Sequence, residues 1–287
     1  MNLSLFTTQI VNSLVLGGVY ALLSISLTFL YSVSGVLQLA QADVMVVGAY
    51  CGYLTTLLVP NLVVGVLVGT LVTGLLGLAI YEGIFRWMRN SGHLILVAGL
   101  ALSSLIEESL KVIFLSGHPV AYGQRVVGNG SSLGFQLLLL GLAVAIGAAF
   151  QIFLMRSRWG RALRATADDH ETARLLGIPV NLMVRLSFVI SSALAGGAGV
   201  LLAVIFQYIT PFIGGQIEFT AVAVILFGGL GSIPGAIIGS FILATSQVFA
   251  TTYLSSSYQD AITFGLIVLI LVFRPKGLFS VSREVRA

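Results

Sequence analysis

Charge is what this chain has least of. Only 8% of its 287 residues are Asp, Glu, Lys or Arg, against about 25% in an ordinary soluble domain, while hydrophobic residues reach 57%. That balance excludes a water-soluble fold and points to one multi-span membrane domain, residues 1–287. Cysteine is almost missing as well. Cys51 is alone and lies in an apolar stretch, which excludes a disulfide framework and a cysteine metal cluster. There are two lysines, Lys111 after Leu110 and Lys276 after Pro275, and neither completes the phosphate-cradling G-x-x-x-x-G-K-[ST] loop. The chain therefore binds no ATP through a P-loop. His93, His118 and His170 show no ligand spacing, so no metal site is expected, and no Ser/His/Asp arrangement stands out. The first 13 residues, MNLSLFTTQIVNS, hold no Lys or Arg. They lack the basic start of a secretory signal, and the first apolar run reads as a retained span.

What is there is apolar sequence in lengths suited to a bilayer, where about 20 residues cross as a helix. The candidates are Val11–Leu30, Val44–Val59, Leu62–Phe85, Leu94–Leu115, Leu133–Met155, Leu186–Phe206 and Ala261–Phe273. Phe219–Tyr253 is also apolar, but Gly228-Gly229-Leu230-Gly231-Ser232-Ile233-Pro234-Gly235 breaks it into two shorter segments. The expected fold is an all-α polytopic membrane protein with eight or nine transmembrane helices, some short or discontinuous. Only a helix satisfies its own backbone in lipid. Nine spans put the N-terminus outside and the C-terminus in the cytoplasm. Of the 14 basic residues, only Lys111 and Arg125 then fall outside, as the positive-inside rule requires. The same rule accounts for the net charge of +4, without any nucleic-acid partner. The first and sixth spans are each followed by a polar break and a short apolar segment, and run in opposite directions, as in the inverted repeats of transporters.

The polar residues concentrate in one place. Arg156–Arg185 carries nine charged residues between two long apolar runs. Each Arg or Asp at mid-bilayer costs about 2.5–3.5 kcal/mol, so this loop, 156–185, must sit in water. Arg156–Leu176 has helical composition and stops at Gly177-Ile178-Pro179, a C′ glycine followed by proline. Arg164 and Asp168 are spaced to pair on that helix. In the fourth span Glu107 and Lys111 have the same spacing, either as a structural pair or as a polar lining of an outer vestibule. Glu218 and Asp260 lie near span ends and are expected to meet water. Gln38–Asp43 and Gly228–Gly235 both interrupt membrane segments. Irregular backbone at that depth either lines a wet path or is a structural kink.

Glu171-Thr172-Ala173-Arg174-Leu175-Leu176-Gly177 resembles the E-A-A-x-x-x-G cytoplasmic motif of ABC importer permeases, with Thr at the middle position. Three further stretches resemble the branched-chain amino acid permease family, in that family's order. They are Val19–Thr28 with Gly35–Asp43, the GGLGSIPGA segment at Gly228–Ala236, and Arg274-Pro275-Lys276-Gly277-Leu278-Phe279. Gln38 stands where the family has Asn, and Gln41-Ala42-Asp43 where it has His-Gly-Glu. If those positions touch the solute, the departures point to a ligand other than Leu, Ile and Val.

The resemblance implies the membrane-spanning permease of an ABC importer in a bacterial cytoplasmic (inner) membrane, itself not an enzyme and holding no cofactor. Two ATP-binding subunits would hold ATP and Mg. A second permease, homologous or a copy of this chain, would share the pore, and an external solute-binding protein would deliver ligand. In this reading Arg161, Arg164, Asp168, Glu171, Ala173 and Gly177 couple to the ATPase, with the small Ala173 facing its groove. Gln38, Gln41, Asp43, Gly228, Gly229, Gly231 and Pro234 form the path or gate. The same machinery for urea or a short amide, and a stand-alone secondary transporter or channel using Asp43, Glu107 and Glu108, are the alternatives.

Overall fold

The computed structural model describes residues 3–88, 92–114, 118–122, 133–253, 255, 261, 263–265, 268, 272–273, 277 and 279. In chain order its helices are α1 (Leu3–Ser34), α2 (Gln41–Leu58), α3 (Leu62–Ile80, continued by a π-helical turn, Tyr81–Phe85), α4 (Gly92–Ile113), α5 (Leu133–Arg156), α6 (Arg158–Asp168), α7 (His170–Leu175), α8 (Val180–Phe206), α9 (Ile213–Gly228) and α10 (Ile233–Tyr253). Five stretches, lying in α1, α3, α5, α8 and α10, are long and apolar enough to cross a membrane. α2 and α9 are shorter, at 18 and 16 residues. α4 carries Glu107, Glu108 and Lys111 along its last turns, where Lys111 Nζ lies 3.0 Å from Glu107 and 2.7 Å from Glu108. Eight of the expected apolar segments are thus helices. Of the ninth, 261–273, the described residues 261, 263–265, 268 and 272–273 are helical, while Arg125 and Asp260 lie outside the described residues.

α8 is the centre, with α1, α2 and α3 packed around it, α10 along α1, and α5 outermost. Lipid offers no hydrophobic drive for helix association, so close van der Waals contact must supply it, and small residues permit that contact. A Cβ on Gly48 of α2 would lie 2.5 Å from Gly196 Cα of α8, and one on Gly69 of α3 would lie 3.0 Å from the Gly48 carbonyl oxygen. The glycine run in α8 is therefore the seam of a three-helix contact.

Two ends of the bundle can be told apart. At one, strands β1 (Val120–Ala121) and β2 (Tyr208–Ile209) pair antiparallel and tie the α4–α5 and α8–α9 connections together. At the other, the arginine-bearing helices α6 and α7 pack on the end of α1, where His170 Nε2 is 2.7 Å from the Val33 carbonyl. Ser32 Oγ donates to the Gly231 carbonyl at 3.3 Å, so the α9–α10 turn shares this basic face.

The connections to the short helices run back into the bundle. α1 ends at Ser34, Gly35 turns with φ +72°, and Gln41 Nε2 then lies 3.5 Å from Ser26 Oγ. Ser26 is two turns, about 12 Å, short of the end of α1, so α2 starts deep inside. After α8 the chain turns at Gln207 (φ 60°), and α9 begins beside that same point, with Gly214 against Asp43. The α1–α2 and α8–α9 pairs run in opposite directions, the arrangement suggested by the spans' order.

Candidate functional site

The N-termini of α2 and α9 meet inside the bundle. The first turn of a helix has unpaired N–H groups and the positive end of the macrodipole, and here a carboxylate from each helix faces the other's start. The Ala42 amide donates to Glu218 Oε2 at 2.7 Å, and Asp43 Oδ1 lies so close to Gly214 that a Cβ there would strike it. Both acids are buried, Asp43 at 2% exposure and Glu218 at 7%. Among the described residues no salt bridge reaches either one. Ser103 and Glu107 of α4 face Asp43. Ser26 of α1, 3.5 Å from Gln41, is buried alongside. Gln41 Oε1, Asp43 Oδ2 and Glu218 Oε1 have no protein hydrogen-bond partner. Buried polar atoms are nearly always paired, so this concentration inside an apolar bundle has the chemistry of a polar pathway.

Of the expected path residues, Gln41 and Asp43 belong to this junction, and Gln38 is buried in the connection that leads to it. Glu218, expected in water, is one of its two carboxylates. The sequence could not pair residues so far apart, although an acid in an apolar run was a signal. Gly228, Gly229, Gly231 and Pro234 lie elsewhere. Their break is the tight α9–α10 turn, beside Ser32 near the end of α1. Gly229 (φ 100°, ψ 128°) and Gly231 (φ 86°) take left-handed backbone there. Gly228 and Gly235 touch backbone to backbone, Ser232 Oγ accepts from the Gly235 amide at 3.2 Å, and Pro234 is exposed in the first turn of α10. The C-terminal segment braces the turn. The Phe279 amide donates to the Gly228 carbonyl at 3.0 Å, and a Cβ on Gly277 would lie 2.6 Å from Gly229 Cα.

The loop between α5 and α8 forms two helices, not the single one that its composition suggested. Ser157 caps α6 by accepting from the Gly160 amide at 2.7 Å, and Gly160 presses on the Phe153 and Leu154 carbonyls. Leu163 and Thr166 face the bundle, while Arg161 and Arg164 are exposed at the rim of a groove between α1, α5 and α10. At Asp169 the backbone becomes extended, because its carboxylate caps a new helix, accepting from the Glu171 amide at 2.8 Å and the Thr172 hydroxyl at 2.6 Å. Chiefly the Thr172 bond holds the Asp169 carboxyl below its usual range. α7 closes on a Schellman motif, with Gly177 (φ 78°) at C′, its amide bonded to the Arg174 carbonyl and that of Ile178 to the Ala173 carbonyl. Two expectations fail. Arg164 and Asp168 form no ion pair. Ala173 is 1% exposed and faces its own bundle, because the cap turns that side of α7 inward; Leu175 (84%) and Leu176 (72%) are presented outward instead. Glu171 and Asp168 are exposed. Nearby, Glu82, in the π-helical turn after α3, pairs with Arg86 four residues on (2.9 Å) and reaches α8 through Arg185 (3.1 Å).

Residues 9–271 match the family described as branched-chain amino acid transport system, permease component. The high-affinity branched-chain amino acid transport system permease protein LivH of Escherichia coli (strain K12) is 33% identical over 297 residues, covering 95% of each chain. The corresponding permease protein LivM of that strain is 31% identical over 150 residues, 51% of this chain and 35% of LivM. The solved structure of PsaBC from Streptococcus pneumoniae in complex with Fab aligns over 92% of this chain and 91% of that one, at 14% identity and a TM-score of 0.48.

Proposed function

The chain belongs to the branched-chain amino acid transport permease family and is a membrane permease, and from that premise we propose that it is the path-forming subunit of an ATP-driven importer for branched-chain or related amino acids. In this reading the basic face is cytoplasmic, the N-terminus lies outside, and the membrane is the bacterial inner membrane. ATP and Mg belong to ATPase subunits docked on α7 and the exposed Leu175 and Leu176 at its end. A second permease, homologous or a copy, completes the pore, and an external binding protein supplies the solute. The partial likeness to LivM as well as the full-length likeness to LivH supports a paired permease.

The α2–α9 junction would receive the solute. Its unpartnered Asp43 Oδ2 and Glu218 Oε1 suit an ammonium group, which favours an amino acid over urea or a neutral amide. ATPase motion would reach the junction through α7 and His170, which touches the end of α1.

One observation carries the ATP-driven reading over a stand-alone channel: Leu175 and Leu176 are exposed on a charged loop that must face water. A lone channel has no use for an apolar pair there, whereas a docking partner covers it. Replacing both (Leu175→Asp with Leu176→Asp) should leave the chain inserted while abolishing co-purification of ATPase subunits and solute uptake. Normal co-purification and uptake would sink the reading.

A further inference from the structure

Between α1, α5 and α10 runs a groove of about 1170 Å³. Its floor is Leu22, Ile25 and Phe29 of α1, and its walls include Val144 and Phe150 of α5 and Phe241 of α10. From Gly18 to Val33 along α1 it extends about 22 Å, more than the ~15 Å of one leaflet's hydrocarbon. Its polar groups gather at the basic face, where Arg161 and Arg164 of α6 close the end beside Ser32 and Asp168. Arg164 has no ion pair among the described residues, and Arg161 donates only to the Arg156 carbonyl, at 3.4 Å.

We propose that this groove is a binding site for an anionic phospholipid, with an acyl chain along α1 and the phosphate on Arg161 and Arg164. The charge pattern selects this occupant. A hydrated solute would not follow the Leu22–Phe29 wall, and a zwitterionic phospholipid would bring a quaternary ammonium beside its phosphate, giving no net counter-charge to two guanidinium groups of which Asp168 offsets only one. The site joins membrane to machine. α5 and α1 form its walls, and α6, which packs on both, holds the headgroup. Anionic lipid therefore steadies the angle at which α6 leaves α5.

The test uses the full chain, purified with whatever subunits accompany it and exchanged into phosphatidylcholine nanodiscs doped with phosphatidylglycerol, with retained lipid read by native mass spectrometry. The unaltered protein should retain phosphatidylglycerol selectively. Each basic residue at an anionic surface is worth about fivefold in affinity, so Arg161→Gln with Arg164→Gln should weaken retention roughly 25-fold. Gly147→Trp fills the groove away from the arginines, where a Cβ meets only Leu22 at 3.7 Å, and should expel the lipid with the charges intact. Retention unchanged in both variants, or a preference for phosphatidylcholine, overturns the proposal. So does a Gly147→Cys chain that cross-links to another transporter polypeptide, since the groove would then be a protein interface.

Discussion

Glu218 offers the sharpest physical test, because two substitutions there separate hydrogen bonding from charge. Its carboxylate takes the Ala42 amide at 2.7 Å in a site where it is only 7% exposed. Glu218→Ala removes the acceptor and leaves that amide buried without a partner, a loss of about 1–3 kcal/mol. It also removes a carboxylate from a helix N-terminus, worth up to about 2 kcal/mol when partly buried. These effects overlap, and about 3 kcal/mol is a fair total. Glu218→Gln keeps an acceptor oxygen and gives up the charge, so it should lose about half as much. At roughly 2–4 °C per kcal/mol for a domain of this order, the apparent melting point should fall about 6–12 °C for Ala and about 3–6 °C for Gln. The protein carries its own probe, because Cys51 is its single thiol, lies within α2 and is partly buried. A thiol-reactive dye followed during heating in detergent reports when α2 is released. Equal shifts for Ala and Gln would show that no acceptor is needed at Ala42. No shift for Ala would remove the carboxylate from its place at the start of α2.

Further outcomes follow from other contacts. Gly48→Leu should drive α2 off α8, since even a Cβ would lie 2.5 Å from Gly196 Cα, and the chain should fail to accumulate in membranes; normal yield would refute the seam. Gly229→Ala meets left-handed backbone, costing about 1–2 kcal/mol, and abuts Gly277, so its melting point should drop, whereas Gly83→Ala, with open space around the Cβ, should leave it unchanged. Ser157→Ala removes the α6 cap, about 1 kcal/mol, and should raise the ATP hydrolysed per solute moved more than it lowers the melting point. The Asp169 carboxyl is held below its usual range, so its cap is complete above the ordinary carboxylate value and is lost as pH falls through the lowered one. Amide exchange in α7 should accelerate over that acid window, and Asp169→Asn should flatten the dependence.

The sequence by itself determined whatever depends on composition along a single segment. Sparse charge and long apolar runs required a helical membrane bundle. The density of charge in 156–185 required that loop to leave the membrane, and Gly177-Ile178-Pro179 marked the end of a helix because a C′ position favours glycine. Family motifs spread along the chain were legible as patterns. Tertiary structure decided everything that depends on which segments meet. Asp43 and Glu218 are 175 positions apart, and only the return of the chain after α1 and after α8 places each acid at the other helix's N-terminus. The GGLGSIPGA segment read as a break between two short apolar segments, and only packing shows which residues it meets, Ser32 at the end of α1 and Phe279 of the C-terminal segment. Ala173 and Leu175 differ by two residues on one short helix, and their opposite exposures follow from the bend at Asp169, where a side-chain cap outweighed the helical preference of its neighbours.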